Sequence, residues 1–305
     1  MKAIRIHQYG HSDQIQLEEA PRPRIGAGQV LLRIRDAGVN PVDWKIREGL
    51  YRERMPRELP LTLGQDVAGE IVELGERVTR FHAGDPVFGF ASGAYAELAA
   101  ADESDLALKP RLMDYDEASA LPTASLTAWQ AVMELAGLQE GQLALIHGAA
   151  GGVGSFAVQL AVWRGVRVVA TASRRDAEYL LRLGVERVID YKTERFYRLV
   201  RGVDAVIDLV GRDVLERSYD VLKPGGKLVS TVGPTDEAKA AAAGVTAVTM
   251  AMRRDGAQLA RIAQLVDQKT LRPRLDQILP LTDARIAQEL SQSGETRGKI
   301  VLHVA

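Results

Sequence analysis

Apolar and polar positions change rhythm about a third of the way along the chain. In the first hundred residues apolar positions come in short runs: Lys2 to Ile6, Gln29 to Arg35, Val67 to Leu74, Pro86 to Phe90 and Tyr95 to Ala99. Gly26, Gly28, Gly64, Gly75, Gly84 and Gly93 punctuate them. Short runs between glycine turns predict a mostly β barrel or sandwich. After about residue 115 helical spacing takes over, with Leu126, Trp129, Gln130, Val132, Met133 and Leu135 on one face. Strand and helix then alternate: strand Gln142 to His147, helix Gly154 to Trp163, strand Val166 to Thr171, helix Asp176 to Leu183 and strand Arg187 to Ile189. A short helix near Arg195, strand Val203 to Asp208, helix Asp213 to Leu222, the turn Lys223 to Gly226 and strand Lys227 to Thr231 continue the series. Alternation of this length calls for parallel strands joined by right-handed crossovers, a doubly wound α/β sheet. The end of the chain turns back to mixed structure, with helices Gly256 to Gln268 and Thr282 to Leu290 and a final strand Lys299 to Val304 expected to rejoin the first domain.

Composition narrows the function classes. At 305 residues the chain has the length of about two domains. Lys and Arg number 39 against 40 Asp and Glu, which removes the broad basic field that nucleic acid or an anionic membrane would need. There is no cysteine, so disulfides, thiolate catalysis and thiolate-ligated zinc are excluded, and a reducing cytoplasm is the expected compartment. The N-terminus is broken by Lys2, Arg5 and His7, unlike a secretory signal. Leu143 to Trp163 carries no Asp, Glu, Lys or Arg, but His147 and four glycines interrupt it, so it reads as buried strand, turn and helix, with no membrane span. His82, His147 and His303 are isolated, and His7 and His11 straddle a turn, so no metal site is expected. No Gly-x-Ser-x-Gly elbow occurs.

The strongest chemical signal is the run His147-Gly148-Ala149-Ala150-Gly151-Gly152-Val153-Gly154-Ser155, set between an apolar strand and an apolar helix. That is the context of a dinucleotide-binding turn. Gly151 would let the main chain approach a pyrophosphate and Gly154 would let helix pack on strand. Ala150, Gly152 and Val153 complete the expected backbone contacts, and Ala149 stands where the first fingerprint glycine is usual. An NAD site places an acid about 20 residues on. Here Ser173, Arg174 and Arg175 occupy that place and Asp176 follows later. A hydroxyl and two guanidiniums suit a 2'-phosphate, so NADP(H) is the expected cofactor.

Further ordered motifs are Ala37-Gly38-Val39-Asn40-Pro41-Val42-Asp43-Trp44-Lys45, Gly64-Gln65-Asp66-Val67-Ala68-Gly69-Glu70, Phe81-His82-Ala83-Gly84-Asp85-Pro86-Val87 and Leu126-Thr127-Ala128-Trp129. With the glycine turn and the terminal strand, they make nearly the whole chain resemble the medium-chain dehydrogenase/reductase superfamily. More narrowly it is similar to the zinc-free, zeta-crystallin-like quinone oxidoreductase branch. The resemblance implies a GroES-like catalytic domain of residues 1–122 with 270–305 and a Rossmann domain of residues 123–269. Zinc-dependent relatives carry a Cys near Asn40, a His-Glu pair at Gln65-Asp66 and a four-Cys loop; their loss removes the Lewis acid that alcohol oxidation relies on. The implied reaction is hydride transfer from NADPH to an electrophilic acceptor, a quinone or an α,β-unsaturated carbonyl.

Site residues follow by position. Tyr51 matches a tyrosine that related reductases place at the substrate, as proton donor or contact, and Trp44 belongs to the same substrate-binding stretch. Asn40 matches a residue that hydrogen-bonds the nicotinamide ribose or the substrate, and Thr127 one near the nicotinamide amide. Tyr191 matches a residue that closes over the 2'-phosphate. Leu209, Val210, Val232 and Gly233, just past two strand ends, should approach the nicotinamide by backbone. Asp43 and Lys45 are expected to pair and fix their loop. The uncharged segment 243–252 reads as an edge strand, and in related proteins it joins two Rossmann sheets, so a homodimer is expected. Two other readings stay open: an NADPH-binding sensory or nucleic-acid-binding protein with little catalysis, against which the neutral charge weighs, and an enoyl-thioester reductase.

Overall fold

The computed structural model describes residues 1–304. The chain divides into two compact units. One holds Met1–Thr123, Arg254–Lys269 and the segment from Pro273 onward, and the other Ala124–Arg253 with Thr270–Arg272.

The first unit is built on a seven-stranded sheet. Its path runs Leu275–Pro280, Lys299–His303, Gln29–Val39, Asp66–Leu74, Pro86–Phe90 and Leu106–Leu108, and Leu98–Asp102 also pairs with Gln29–Val39. Leu275–Pro280 runs parallel to Lys299–His303 and the other pairings are antiparallel. A smaller sheet orders Gln16–Glu19, Lys2–Ile6 and Leu61–Thr62. Ile4, Ile6, Leu32, Ile34, Val67, Ile71 and Leu302 meet in the core between these strands. The C-terminal strand therefore rejoins the front of the chain through the pairs Ile300 to Val39 and Leu302 to Ala37. A second tie is the buried Arg47, whose guanidinium donates to Gly10 O at 3.2 Å, Gln288 Oε1 at 3.1 Å, Glu48 Oε1 at 3.0 Å and Gln292 Oε1 at 3.1 Å. A charge without water needs such a complete set of partners. It anchors helix Pro41–Arg47 to helix Ala284–Ser293.

Helix Gly256–Asp267 groups with this unit, whereas the expected boundary put residues up to 269 with the parallel sheet. The reason is steric and hydrophobic. A Cβ on Gly256 would fall 2.4 Å from Ser104 O and 2.5 Å from Leu106 O, so only glycine lets this helix start against the β-rich unit. Leu259, Ile262 and Val266 then bury one face of it.

The second unit is a six-stranded sheet, all parallel, in the order Arg187–Asp190, Arg167–Ala172, Leu143–His147, Val203–Asp208, Leu222–Ser230 and Thr246–Thr249. The order reverses beside Leu143–His147, the switch point where open α/β sheets bind ligands. Helix Gly152–Trp163 buries Phe156, Ala157, Leu160 and Ala161. The expected turn 223–226 is a bulge inside one strand, since Val203 pairs with Leu222 and Ala205 with Lys227. The edge segment read as 243–252 is strand only over Thr246–Thr249, because helix Glu237–Ala243 and the left-handed Gly244 take up its start.

Candidate functional site

At the end of strand Leu143–His147 the chain turns on Gly148, whose φ of 66° suits glycine. A Cβ there would meet Val210 Cγ2 at 3.2 Å, so the turn is made one residue before Ala149, which is wholly buried and needs no such freedom. Gly154 is required by packing: its Cβ would lie 2.2 Å from Gly148 O and 2.7 Å from Ala149 Cα. Gly151 differs from both. A Cβ there would meet only Gly148 O at 3.4 Å, an ordinary contact, so nothing inside the protein demands glycine. Gly151 is the N-cap of helix Gly152–Trp163 and supplies no side-chain cap. The first-turn N–H groups of a helix lack intrahelical partners and carry its positive end. A bare, partly exposed helix start of this kind fits the pyrophosphate of a dinucleotide.

The loop after the adjacent strand meets this turn through Leu209 and Val210. Asp208, at the end of the adjacent strand, is fully buried and uses Oδ1 to accept the N–H of Val210 at 3.0 Å and of Gly211 at 2.9 Å. Its Oδ2 accepts from Ser230 Oγ at 2.9 Å. That fixes Leu209 and Val210 beside Gly148 and holds Gly211 against Val232, whose Cγ2 lies 3.1 Å from a Cβ built on Gly211. The structure thus gathers Gly148, Leu209, Val210 and Val232 at one end of the sheet, and Val210 and Val232 are about half exposed. His147, below the turn, has no free nitrogen: Nδ1 lies 2.9 Å from Thr171 Oγ1 and Nε2 3.2 Å from Ser218 Oγ. Burial pushes its pKa down to about 3, so the imidazole is neutral.

Arg174 is exposed and lines a groove of about 290 Å³ with Ala177, Val188, Asp190, Thr193 and Glu194. Arg175 is exposed and sits 3.6 Å from Asp176. Ser173 is different from its prediction: it is buried, and its hydroxyl donates to Asp176 Oδ2 at 2.6 Å. An Asp three residues on captures the hydroxyl as the next helix begins. Tyr191 is 55% exposed at the end of strand Arg187–Asp190. Asp190 and Glu194, which the sequence reading did not single out, place acid in the groove beside Arg174.

The β-rich unit holds a second cluster. Asn40, expected at a ligand, is 2% exposed and accepts from Lys299 Nζ at 2.5 Å, because the buried ammonium needs acceptors and also takes Val39 O at 2.8 Å. Asp43 does not pair with Lys45, whose ammonium lies 5.5 Å over the Trp44 ring. Instead Asp43 Oδ2 accepts the Asn40 N–H at 2.8 Å, capping helix Pro41–Arg47, and Tyr95 Oη at 2.8 Å. Gly64 permits this, since a Cβ on it would fall 2.2 Å from Tyr95 Cδ1. Asp66 accepts from Thr123 N at 3.0 Å and Thr123 Oγ1 at 2.5 Å and lies 3.9 Å from Lys299 Nζ. Burial pushes Asp43 up to about 7, raises Asp66 and lowers Lys299, each opposed by the neighbouring opposite charge. Asp43 also walls a pocket with Ile46, Arg57, Gln65, Ser92 and Arg254. Arg254 is held there by Asp105 at 3.3 Å and Gln65 Oε1 at 3.2 Å.

Trp44 and Tyr51 are half-buried, and the Trp44 indole N–H is buried without a partner among the described residues. Thr127 is 7% exposed in helix Pro122–Trp129. Among the described residues no group of three or more His, Cys, Asp or Glu could hold a metal ion, and no helix is long and apolar enough to cross a membrane.

A ligand-ready glycine turn at the switch point of a doubly wound sheet, joined in one chain to a β-rich unit with a titratable pocket, defines an oxidoreductase that works with a nicotinamide cofactor. Two family models match, "Alcohol dehydrogenase GroES-like domain" over residues 26–111 and "Zinc-binding dehydrogenase" over residues 183–302. The chain is 34% identical over 318 residues to the 2-methylene-furan-3-one reductase of Solanum lycopersicum, covering 99% of this chain and 79% of that protein. Among solved structures it superposes on the quinone oxidoreductase from Coxiella burnetii with a TM-score of 0.94 and 36% identity, over 100% of this chain and 99% of that one. The Escherichia coli quinone oxidoreductase complexed with NADPH gives a TM-score of 0.91 at 26% identity, over 99% and 100% of the two chains. The chain belongs to the quinone oxidoreductase group of the medium-chain dehydrogenase/reductase superfamily.

Proposed function

We propose that the protein is an NADPH-dependent, metal-independent reductase that delivers hydride to a quinone or to the β-carbon of an α,β-unsaturated carbonyl. The observation that carries the reading is Gly151, a glycine that the fold does not need but an approaching pyrophosphate does. The NADPH bound by the E. coli neighbour and the reductase activity in the tomato relative's name point the same way. Ala150 to Gly154 would hold the pyrophosphate. Arg174, Arg175 and Tyr191 would take the 2'-phosphate, and Thr127, Leu209, Val210, Val232 and Gly233 would border the nicotinamide. Bound there, the cofactor supplies a hydride; the chain contributes orientation and exclusion of water around the transfer. Tyr51 and Trp44 would contact the acceptor. Asn40 acts one step back, by holding Lys299. The protein would work in the cytoplasm as a homodimer that pairs the edge strands Thr246–Thr249 of two copies.

The test is a titration of purified protein with NADPH and NADH, followed by loss of reduced-nicotinamide absorbance on adding 1,4-benzoquinone, 9,10-phenanthrenequinone or an alkenal. Tighter NADPH binding with acceptor-dependent oxidation is expected. Tight binding with no turnover on any acceptor would overturn the reductase reading in favour of a binding role.

A further inference from the structure

The residues lining the pocket beside Asp43 all fall within Met1–Thr123 or Arg254–Lys269, so it belongs to the β-rich unit alone. Two guanidiniums line it, Arg57 and Arg254, and the hydride transfer proposed above uses neither. Arg254 is fixed by three separate segments. Its Nη1 donates to Asp105 Oδ2 at 3.3 Å, its Nη2 to Gln65 Oε1 at 3.2 Å, and its guanidinium carbon lies 5.0 Å from the centre of the buried Phe90 ring. Further N–H groups of the fork are left over. Arg57 is exposed and its side chain makes no ion pair or hydrogen bond among the described residues; only its carbonyl is engaged, by Tyr9 Oη at 3.4 Å. The one acid on the wall, Asp43, spends Oδ2 on the Asn40 amide and the Tyr95 hydroxyl, and burial pushes it up to about 7, so below neutrality it brings little opposing charge. Two cations therefore meet a small concave space with Asp105 as their single counter-ion.

We propose that this pocket binds the carboxylate of a small organic acid, with the Arg254 fork on its oxygens and Arg57 as the second cation. A planar guanidinium matches the two oxygens of a carboxylate, and such bonds are charge-assisted. Asp105, Gln65 and Phe90 already orient the fork, so little rotamer freedom is lost when the ligand arrives. The volume of about 40 Å³ has room for about three waters, the size of a carboxylate head. Thr62 and Ser92 add hydroxyls for its remaining lone pairs. The half-buried Ile46 and Leu61 also line the pocket, which suits the short alkyl stem of an organic acid and gives nothing to an inorganic anion. The site needs no cofactor, and it stands independently of the reductase reading.

The test is a titration of the cofactor-free protein at pH 6 and constant ionic strength with carbon-13-labelled acetate, followed by broadening of the acetate resonance. Saturable binding is expected, with no binding of acetamide, which has the same shape without the charge. Propionate should displace acetate more readily than phosphate does. Arg254→Gln and Arg57→Gln should each weaken acetate at least about tenfold, the loss of one hydrogen bond to a charged group. Arg57→Gln carries the test if Arg254→Gln does not fold, because Arg57 is exposed and its side chain holds nothing else in place. Arg261→Gln, which removes an exposed cation of the same unit away from the pocket lining, should leave binding unchanged. No saturable binding, acetamide matching acetate, wild-type affinity in Arg57→Gln, or equal weakening in Arg261→Gln would overturn the site. Phosphate displacing acetate as readily as propionate would overturn the organic-acid assignment. None of these results depends on turnover, so they are separable from a failure of the reductase reading.

Discussion

The two units handle buried polarity in opposite ways. In the β-rich unit, ionisable side chains are buried: Arg47, Asp43, Asp66 and Lys299 are all within 5% exposure, with Arg47 answered by Glu48, Lys299 by Asp66 and Asp43 by the Tyr95 hydroxyl. In the parallel-sheet unit the polar groups at the strand ends are neutral, as His147 is, or are spent on backbone, as Asp208 is. One unit offers side chains with protons to exchange. The other offers main-chain N–H groups and an empty space over glycine, which is what binding a large anion by shape calls for.

The largest break in this comparison should come from Lys299→Met, which strands Asp66 and the Asn40 carboxamide in a dry site. Removing one member of a buried charged group costs about 3 to 5 kcal/mol. Urea unfolding should show that loss; a change below about 1 kcal/mol would mean that the cluster is not held by its charges.

In the sheet unit two glycines should separate. Gly154→Ala forces a methyl onto Gly148 O and should destabilise by about 1 to 3 kcal/mol. Gly151→Ala meets only an ordinary contact and should leave unfolding within about 0.5 kcal/mol of wild type, while NADPH affinity by fluorescence titration falls. Equal loss of stability in both would remove the ligand argument for Gly151.

The units should also answer pH with opposite sign. His147 has a folded pKa of about 3 against 6.5, so its contribution is full above pH 6.5 and is lost as pH falls toward 3. Asp43, raised from 3.8 to about 7, contributes fully below pH 4 and loses that contribution as pH rises to 7. Unfolding free energy measured against pH should therefore fall less between pH 6.5 and 3 in His147→Gln and become less downward-sloping between pH 4 and 7 in Asp43→Asn. Matching slopes in either variant and wild type would show that the group does not titrate as its burial requires.

The smallest effect concerns the groove. Arg174→Ala with Arg175→Ala should weaken NADPH binding about tenfold or more, one charge-assisted contact's worth, and NADH binding little. Equal weakening would move the choice of cofactor to Asp190 and Glu194, which share that groove.

Much of the fold was legible because it rests on local rules. Strands Lys2–Ile6, Pro86–Phe90 and Val203–Asp208 have the residue limits that their apolar runs predict. The glycine turn announces itself because φ, close approach and a helix start must coincide within a few residues. The cluster around Lys299 was not legible. Its members come from residues 40, 43, 66, 95, 123 and 299, and each alone reads as a cap or a solvated charge. For the same reason Asp43 was paired with Lys45, its neighbour in sequence, when its partner is Tyr95, 52 residues on.

The sequence by itself determined the alternation that makes a parallel sheet, the glycine spacing at its switch point and the absence of thiolate chemistry, since all three depend on residue type and short-range order. Only the tertiary structure decided which polar groups are dry, that Asn40 and Ser173 are committed inside, that helix Gly256–Asp267 lies on the β-rich unit, and that Asp43 is buried against Tyr95. Burial is a property of what distant segments place around a group, and it is burial that sets whether a carboxyl holds its proton.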